Sequence, residues 1–418
     1  MNGGGKIGNQ KKIHKSNEVN FLILIKILFL LSIIVVSWTY LGYPLSLWTF
    51  CKITSKKKHL DLEYAPKVSI IIPTYNEEKT IKEKLENCLD LEYDIHNIEI
   101  LVVDSASTDN TRTIVKEFIE KQKNSKIRLI TEKTRKGKAA AVNKALQISE
   151  GEIVLITDAN AFMESNTLKE LMKHFADPKV GGVEGKYILK IQSNHDVSHG
   201  ESFFRKLENW IREKEARLDS VFSMVGEISS FRRGIIDKLD ENIIAEDYEM
   251  SIRIRKNGYK LVHEPNAVVW EYAPGNLKDE IIQKKRRVIG TIQVLLKHYN
   301  IIFNPKYGFY GMYIIPSHSL IRVVSPFFLL LAFFSSFGYY HMTGSTLMLY
   351  FIILEIVMLL IEFLNIVFKI FNFQIKNTIF ISINYFLISQ IIVLWSWYDF
   401  IRGNYKVTWE KIASSRGE

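Results

Sequence analysis

Long apolar runs near both ends of this chain enclose a middle region in which charged residues alternate with short apolar runs. The first long run covers residues 21–50, where Lys26 is the one charged residue. Three more cover residues 312–340, 346–371 and 379–400. About 20 helical residues, each rising about 1.5 Å, cross the hydrocarbon core of a bilayer. The pattern therefore predicts a transmembrane helix at 21–50 and about three more within 312–400.

A cleaved signal peptide is the alternative interpretation of the first run. The run is longer than an ordinary signal-peptide core, and no small-residue cleavage site follows it. We therefore expect a retained helix, preceded by a polar N-terminal tail over residues 1–20. Lysines flank the run on both sides, so the charge bias leaves the orientation of this helix open.

Between residues 65 and 276, short runs rich in β-branched residues alternate with segments of helical spacing. The predicted strands are residues 67–73, 99–104, 126–131 and 152–158, and the predicted helices include residues 77–89 and 139–148. This alternation predicts an α/β domain with a mainly parallel sheet. In such sheets, ligands bind beyond the carboxyl ends of the strands.

The remaining segments and the overall charge point toward a membrane surface. Residues 277–300 have the amphipathic spacing of a helix that lies at the membrane interface, and residues 401–418 form a predicted C-terminal tail. The net charge of +10 favours anionic lipids and phosphate-bearing substrates. No recognisable nucleic-acid-binding motif occurs, so we expect no nucleic-acid partner. Cys51 and Cys88 provide neither a disulfide framework nor metal-site spacing.

Acidic residues follow three of the predicted strands. Asp104 and Asp158 each end a strand, and Glu77 comes shortly after another. Any one of them alone fits a helix N-cap, but three at one edge of a sheet favour a ligand site. Asn160 lies two residues after Asp158, so both side chains can point to one side and share a divalent cation that bridges two phosphates.

Two cationic clusters begin predicted helices. Residues 135–138 (RKGK) end in Lys138, and helix N-terminal amides together with a lysine favour a diphosphate; a solvated charge run is the alternative. Residues 283–287 (QKKRR) contain Arg286 and Arg287. These cations fit either lipid head groups or a clamp on a departing nucleoside diphosphate.

Glu246 and Asp247 begin another helical pattern. Acids in a first helical turn interact favourably with the helix dipole, which is one explanation of the pair. The other is a general base that deprotonates an attacking hydroxyl group. Residues 226–233 (GEISSFRR) precede the pair and are candidates for lining an acceptor site.

In this order, the segments IPTYNEE, VVDSASTDNT, GKAAAVN, TDAN, GEISSFRR, AEDYEM and QKKRR resemble those of family 2 glycosyltransferases. The resemblance is to the branch related to cellulose and hyaluronan synthases and covers residues 65–299. It implies a GT-A fold and a membrane-bound enzyme. It also implies inverting transfer from a nucleotide-sugar, UDP-linked by default with GDP-mannose as the alternative, and use of Mg²⁺ or Mn²⁺.

The resemblance also implies a role for each motif residue. Nucleotide binding falls to Tyr75, Glu77, Asp104, Lys138 and Asp158. Metal binding falls to Asp158 and Asn160, and diphosphate binding to Gln283, Arg286 and Arg287. Asp247, with Glu246 beside it, is the expected catalytic base, and Gly226 and Glu227 lie in the expected acceptor region.

Two positions depart from the family pattern. Asn160 replaces the second Asp of the DxD motif, and Arg287 replaces the Trp of QxxRW, whose aromatic face suits a pyranose ring. The second departure favours transfer of one or a few sugars to a lipid-linked or membrane-proximal acceptor. Separately, the catalytic domain is expected on the cytoplasmic side of the membrane. A processive synthase that extends and exports a β-linked glycan is the alternative enzymatic function. A non-catalytic membrane protein that keeps the fold as a binding module is the competing hypothesis from a different class of function.

Overall fold

The computed structural model describes residues 4–53, 60–61, 63–122, 126–190, 196–272, 277–370 and 378–408. The chain forms two compact units. One consists of Met1–Pro44 with Ile321–Leu394, and the other of Leu45–Leu320 with Trp395–Glu418.

Helices make up most of the first unit and cover the sheet of the second. The α-helices are α1 (Gly4–Ser37), α2 (Tyr43–Ile53), α3 (Ile81–Leu89), α4 (Thr111–Lys121), α5 (Lys138–Ile148), α6 (Thr167–Met172), α7 (Asp196–Leu218), α8 (Glu246–Lys256), α9 (Leu277–Lys297), α10 (Ile321–Thr343), α11 (Thr346–Ile370) and α12 (Thr378–Arg402). Trp38–Gly42 and Tyr310–Leu320 are π-helical. The helix α1 begins inside the predicted polar tail, and α9 occupies the predicted amphipathic stretch.

Three helical segments of the described chain are long and apolar enough to cross a membrane: Ser16–Ile53, Tyr310–Thr343 and Thr346–Leu364. Large apolar side chains on α10 and α11 face outward, and Phe334 and Phe363 are both more than 60% exposed. This exposure is compatible with membrane association. The predicted span at 379–400 lies in α12, which is not among the three, and it stays a prediction.

One eight-stranded sheet forms the second unit's centre. Its strands are β1 (Val68–Thr74), β2 (Ile98–Asp104), β3 (Lys126–Thr131), β4 (Ile153–Thr157), β5 (Phe162–Met163), β6 (Val180–Lys190), β7 (Ile228–Arg232) and β8 (Lys260–Tyr272). They are ordered β3-β2-β1-β4-β7-β6-β8-β5. The strands β1 to β4 run parallel, β7 is antiparallel to β4 and β6, and β8 is parallel to β6 and antiparallel to β5.

The four strands predicted from the apolar runs correspond to β1 to β4. The parallel pairing of these strands confirms the predicted, mainly parallel α/β arrangement. Every residue of β1, β2 and β4 is buried, because helices cover both faces of a parallel sheet. Thr74 pairs with Asp104, which pairs with Thr131. The carboxyl ends of β1, β2 and β3 are therefore level, and the segments that follow them leave the sheet at one edge.

The segment after β1 is a loop where the helical pattern predicted the start of a helix. Asn76 has φ 55°, which interrupts a right-handed helix. The backbone amide of Glu77 donates to the hydroxyl of Thr111, 2.8 Å away. The amide of Glu78 donates to the Asp109 carboxylate at 3.2 Å. Because distant side chains bind these amides, α3 begins only at Ile81.

Candidate active site

A cleft of about 350 Å³ opens at the carboxyl edge of this sheet. The segments after β1 and β4, the first residues of α5 and α8, and one side of α9 line it. The cleft contains every predicted site residue except Tyr75 and Asp104, namely Glu77, Lys138, Asp158, Asn160, Gly226, Glu227, Glu246, Asp247, Gln283, Arg286 and Arg287. Its size suits a small-molecule ligand.

Lys138 begins α5, and its ammonium group lies among carboxylates. The Nζ atom is 2.7 Å from Asp158 Oδ1 and 3.3 Å from Glu246 Oε1, and it donates to the Gly226 carbonyl at 3.1 Å. Burial opposes the charged form, but the two carboxylates outweigh it and raise the pKa of Lys138. A protonated Lys138 therefore ties α5 to the turn after β4 and to the start of α8.

Asp247 lies in the first turn of α8, partly buried in the cleft. Burial and the neighbouring carboxylate of Glu246 raise the pKa of Asp247 to about 7, while Lys138 and the backbone amide of Tyr248 act in the opposite direction. That amide donates to Asp247 Oδ1 at 2.8 Å. A Cβ atom on Gly226 would lie 3.2 Å from the other carboxylate oxygen, Oδ2. Glycine at 226 therefore leaves space in front of Asp247.

The turn after β4 carries Asp158 and Asn160, and a buried lysine holds it from behind. Lys84 is fully buried on α3, and its Nζ donates to Thr157 Oγ1 at 2.9 Å and to the Ala161 carbonyl. Burial lowers the pKa of Lys84. These two bonds join the beginning and the end of the turn, so they fix the backbone between them. The sequence reasoning did not single out Lys84.

Glu271, near the end of β8, is a second residue that the sequence reasoning missed. It is 7% exposed and lines the cleft. Its Oε2 accepts a hydrogen bond from Asn160 Nδ2 at 3.0 Å, and its Oε1 accepts one from the Tyr187 hydroxyl. Burial and the nearby charge of Glu227 raise the pKa of Glu271 to about 7.

The cations of α9 reach other parts of the second unit. Arg286 donates to the backbone carbonyls of Lys406 and Val407, at 3.3 and 2.7 Å. Burial lowers the pKa of Arg286. Arg287 Nη2 is 3.6 Å from Glu227 Oε1, which places this pair between α9 and the predicted acceptor region.

Tyr75 and Asp104 are not among the residues that line the cleft. The Arg135 guanidinium stacks over the Tyr75 ring, 3.7 Å from its centre. Asp104 is fully buried at the end of β2, where its Oδ2 accepts from Arg112 and from the Ser107 amide. Its other oxygen, Oδ1, is buried and accepts no hydrogen bond from any residue that the structure describes. A buried acceptor without a donor is costly, so this oxygen suits a ligand N–H or O–H group.

Residues 69–240, which contain the strand-end acids and the Lys138 loop, match the model of the family "Glycosyl transferase family 2". This segment is a family 2 glycosyltransferase domain. The match confirms the family predicted from the motif order. Asp247, Glu271 and the cations of α9 lie beyond the matched residues.

Curated relatives of this chain have different names, and each aligns with only part of it. The "Probable glycosyltransferase YdaM" of Bacillus subtilis is 31% identical over 244 residues, which are 57% of this chain and 58% of that protein. A dolichyl N-acetyl-alpha-D-glucosaminyl phosphate 3-beta-D-2,3-diacetamido-2,3-dideoxy-beta-D-glucuronosyltransferase of Methanococcus voltae is 28% identical over 59% of this chain and 79% of its own. A "Poly-beta-1,6-N-acetyl-D-glucosamine synthase" of Staphylococcus aureus is 24% identical over 66% of each.

One solved structure extends the likeness beyond the family 2 domain. The mannosyltransferase PcManGT of Pyrobaculum calidifontis, solved in complex with GDP-Man and Mn²⁺, superposes with a TM-score of 0.70. The superposition covers 90% of this chain and all of that one, at 24% identity. It confirms the predicted GT-A-type fold.

Proposed function

We propose that the chain is a glycosyltransferase that moves a sugar from a nucleotide-sugar donor to an acceptor hydroxyl group. The observation that carries this proposal is the position of Asp247. It lies in the same cleft as the Lys138–Asp158 ion pair, its pKa is raised to about 7, and its Oδ2 lies beside Gly226, which has no side chain. A base with such a pKa is half ionised at neutral pH and can accept the proton of an attacking hydroxyl.

The donor's nucleoside and diphosphate have distinct candidate partners. The unpartnered Oδ1 of Asp104 suits a donor group of the nucleoside, and Tyr75 directly follows β1, whose carboxyl end is level with that of β2. Lys138, at the N-terminus of α5, supplies positive charge where a diphosphate also meets helix amides. Arg286 and Arg287 add charge from α9, where it stabilises the negative charge that grows on the leaving group.

The donor set of Asp158 and Asn160 fits a divalent metal that is shared with the substrate. A carboxylate and an amide carbonyl are hard oxygen ligands of the kind that Mg²⁺ and Mn²⁺ take. Within the described residues, no group of three or more His, Cys, Asp or Glu side chains could hold a metal alone. Substrate phosphates commonly complete such a site. Bound there, a metal would neutralise the diphosphate charge.

The proposed reaction is a single displacement. Asp247 takes the proton of the acceptor hydroxyl while the oxygen attacks the anomeric carbon. The bond from that carbon to the diphosphate oxygen breaks, and its electron pair leaves with the nucleoside diphosphate. Lys138 and the arginines hold the departing charge. Attack from the face opposite the leaving group inverts the anomeric configuration.

We infer UDP-sugars as the default donor, with GDP-mannose as the alternative, and a lipid-linked or membrane-proximal acceptor. One relative is named for transfer to a dolichyl phosphate-linked sugar and another for polymer synthesis. Arg287, 3.6 Å from Glu227, offers a charged pair where processive synthases have an aromatic residue, which supports short transfer. We place the catalytic domain on the cytoplasmic side of the membrane, where nucleotide-sugars are made. The length of the radiolabelled glycan product distinguishes transfer of one or a few sugars from polymer synthesis.

Replacing the proposed base tests the function directly. Asp247→Asn in the detergent-purified full chain is expected to lower turnover of a nucleotide-sugar about 10²- to 10⁴-fold. Nucleotide binding, measured by thermal shift with UDP and GDP, should persist. Asp240→Asn is the matched control, because this carboxylate pairs with Lys297 at 2.6 Å outside the cleft. Unchanged turnover in Asp247→Asn would overturn the assigned role.

A further inference from the structure

The amide of Asn160 is held by a buried carboxylate on a different part of the sheet. Asn160 follows β4, whereas Glu271 belongs to β8, and 111 residues of chain separate them. The bond from Asn160 Nδ2 to Glu271 Oε2 is 3.0 Å long. The family pattern has a second aspartate where this chain has Asn160, so the contact lies at a departure from that pattern.

An amide has two unlike ends, and only its carbonyl oxygen can bind a cation. The NH₂ group is a donor and repels one. An aspartate has two equivalent oxygens and needs no such choice. A hydrogen-bond partner that fixes which end of an asparagine faces a metal therefore strengthens metal binding.

Glu271 has the geometry of such a partner. Both of its oxygens accept hydrogen bonds, one from Asn160 and the other from the Tyr187 hydroxyl. Tyr187 is 2% exposed and belongs to β6, next to β8, so the carboxylate is anchored from behind. With Nδ2 turned toward Glu271, Asn160 Oδ1 points away from it and is left as the ligand end.

We propose that Glu271 is a positioning residue that fixes the amide of Asn160 with its carbonyl oxygen toward the metal and the donor diphosphate. The inference rests on the proposed function and adds to it a residue outside the motifs. It also explains why asparagine occurs at position 160. A carboxylate there would stand about 3 Å from Glu271, and two carboxylates so close repel each other.

Mn²⁺ binding tests this without any sugar transfer. Electron paramagnetic resonance of free Mn²⁺ gives the affinity of the detergent-purified full chain in the presence of UDP or GDP. Glu271→Ala removes the acceptor and should weaken Mn²⁺ binding about 10-fold or more. The double variant Asn160→Asp/Glu271→Gln reverses the hydrogen bond, because the glutamine NH₂ can donate to the new carboxylate. It should bind Mn²⁺ more tightly than either Glu271→Ala or Asn160→Asp alone.

A matched control comes from a second asparagine–glutamate pair in the same unit. Asn143 Nδ2 donates to Glu241 Oε1 at 3.2 Å, and neither residue lines the cleft. Glu241→Ala should leave Mn²⁺ affinity unchanged. A general loss of structure would lower the unfolding temperature in every variant and could not be rescued by the Asn160→Asp/Glu271→Gln exchange.

Three results would overturn the inference: wild-type Mn²⁺ affinity in Glu271→Ala, a double variant no better than both single ones, or a wild-type chain that binds no Mn²⁺ with either nucleotide. If the same wild-type preparation transfers sugar while Glu271→Ala binds Mn²⁺ normally, the inference alone fails. If the Glu271 effect is present but no sugar is transferred, the proposed function alone fails.

Discussion

The pH dependence of turnover should report the ionisation of Asp247. Burial and Glu246 raise its pKa to about 7, and a general base works only in its deprotonated form. About a tenth of the molecules carry the ionised carboxylate at pH 6, about half at pH 7 and about nine tenths at pH 8. Below saturation with donor, kcat/KM should therefore rise about tenfold from pH 6 to its plateau.

The variant Glu246→Gln tests this prediction by the direction in which the pH profile shifts. A general loss of structure would lower the rate without moving the profile to lower pH. Glu246 is the strongest of the nearby charges that raise the pKa of Asp247. Removing that charge lowers the pKa and moves the rising part of the profile to lower pH. The fraction of plateau activity left at pH 6 must then exceed the tenth expected of the wild type. Lys138 keeps its 2.7 Å contact with Asp158, so the cleft retains its central cation.

The assay is release of nucleoside diphosphate by the detergent-purified chain, followed from pH 5.5 to 9 in overlapping buffers. The variant Asp240→Asn should reproduce the wild-type midpoint, because its carboxylate pairs with Lys297 outside the cleft. A wild-type rate that is flat between pH 6 and 8, or a Glu246→Gln profile displaced to higher pH, would refute the reasoning. Loss of all turnover in Glu246→Gln would make Glu246 the base.

Three further substitutions follow from contacts in the same unit. Gly226→Ala places a Cβ atom 3.2 Å from Asp247 Oδ2 and should lower kcat about tenfold at an unchanged unfolding temperature. Lys138→Met leaves the neighbouring carboxylates without their cation and should raise the donor KM at least about tenfold. Gly290→Ala brings a Cβ atom 2.7 Å from the Ala245 Cβ and should lower the midpoint of thermal unfolding through overpacking worth about 1–3 kcal/mol.

Each of these three has a contradicting result. An unfolding temperature that falls with kcat in Gly226→Ala would indicate a folding defect instead of a displaced base. An unchanged donor KM in Lys138→Met would remove the lysine from the donor site. Wild-type thermal stability in Gly290→Ala would show that α9 can move away from the start of α8 at no cost.

The regular elements of the family 2 domain were predictable because their signals are local. An uninterrupted β-branched run such as that of β1 fits a strand covered on both faces, and every residue of β1 is buried. The start of α3 was not predictable, because the side chain of Thr111 binds the amide of Glu77, a loop residue 34 positions earlier in the chain. No local pattern contains that contact.

The same distinction applies to the cleft. Asp158 and Lys138 could be predicted because a strand end and a helix start place them at the ligand-binding edge. Lys84 left a signal that was not used: Ile81, Lys84 and Cys88 share the helical spacing of a buried face, which predicts that the lysine is buried. Glu271 left a weaker signal, as an acid near the end of a strand.

The two departures from the family pattern, Asn160 and Arg287, have different neighbours in the structure. The carboxylate lost at Asn160 has a counterpart in Glu271, which belongs to β8 and accepts a hydrogen bond from the amide, so that corner of the cleft keeps a carboxyl group. The aromatic residue lost at Arg287 has a charged pair in its place, because Arg287 faces Glu227 at 3.6 Å. A flat apolar face receives successive sugar rings of a growing polymer, whereas a charged pair selects a particular arrangement of polar groups. The first departure is therefore compatible with donor chemistry that follows the family pattern, while the second supports the proposal of short transfer over polymerisation.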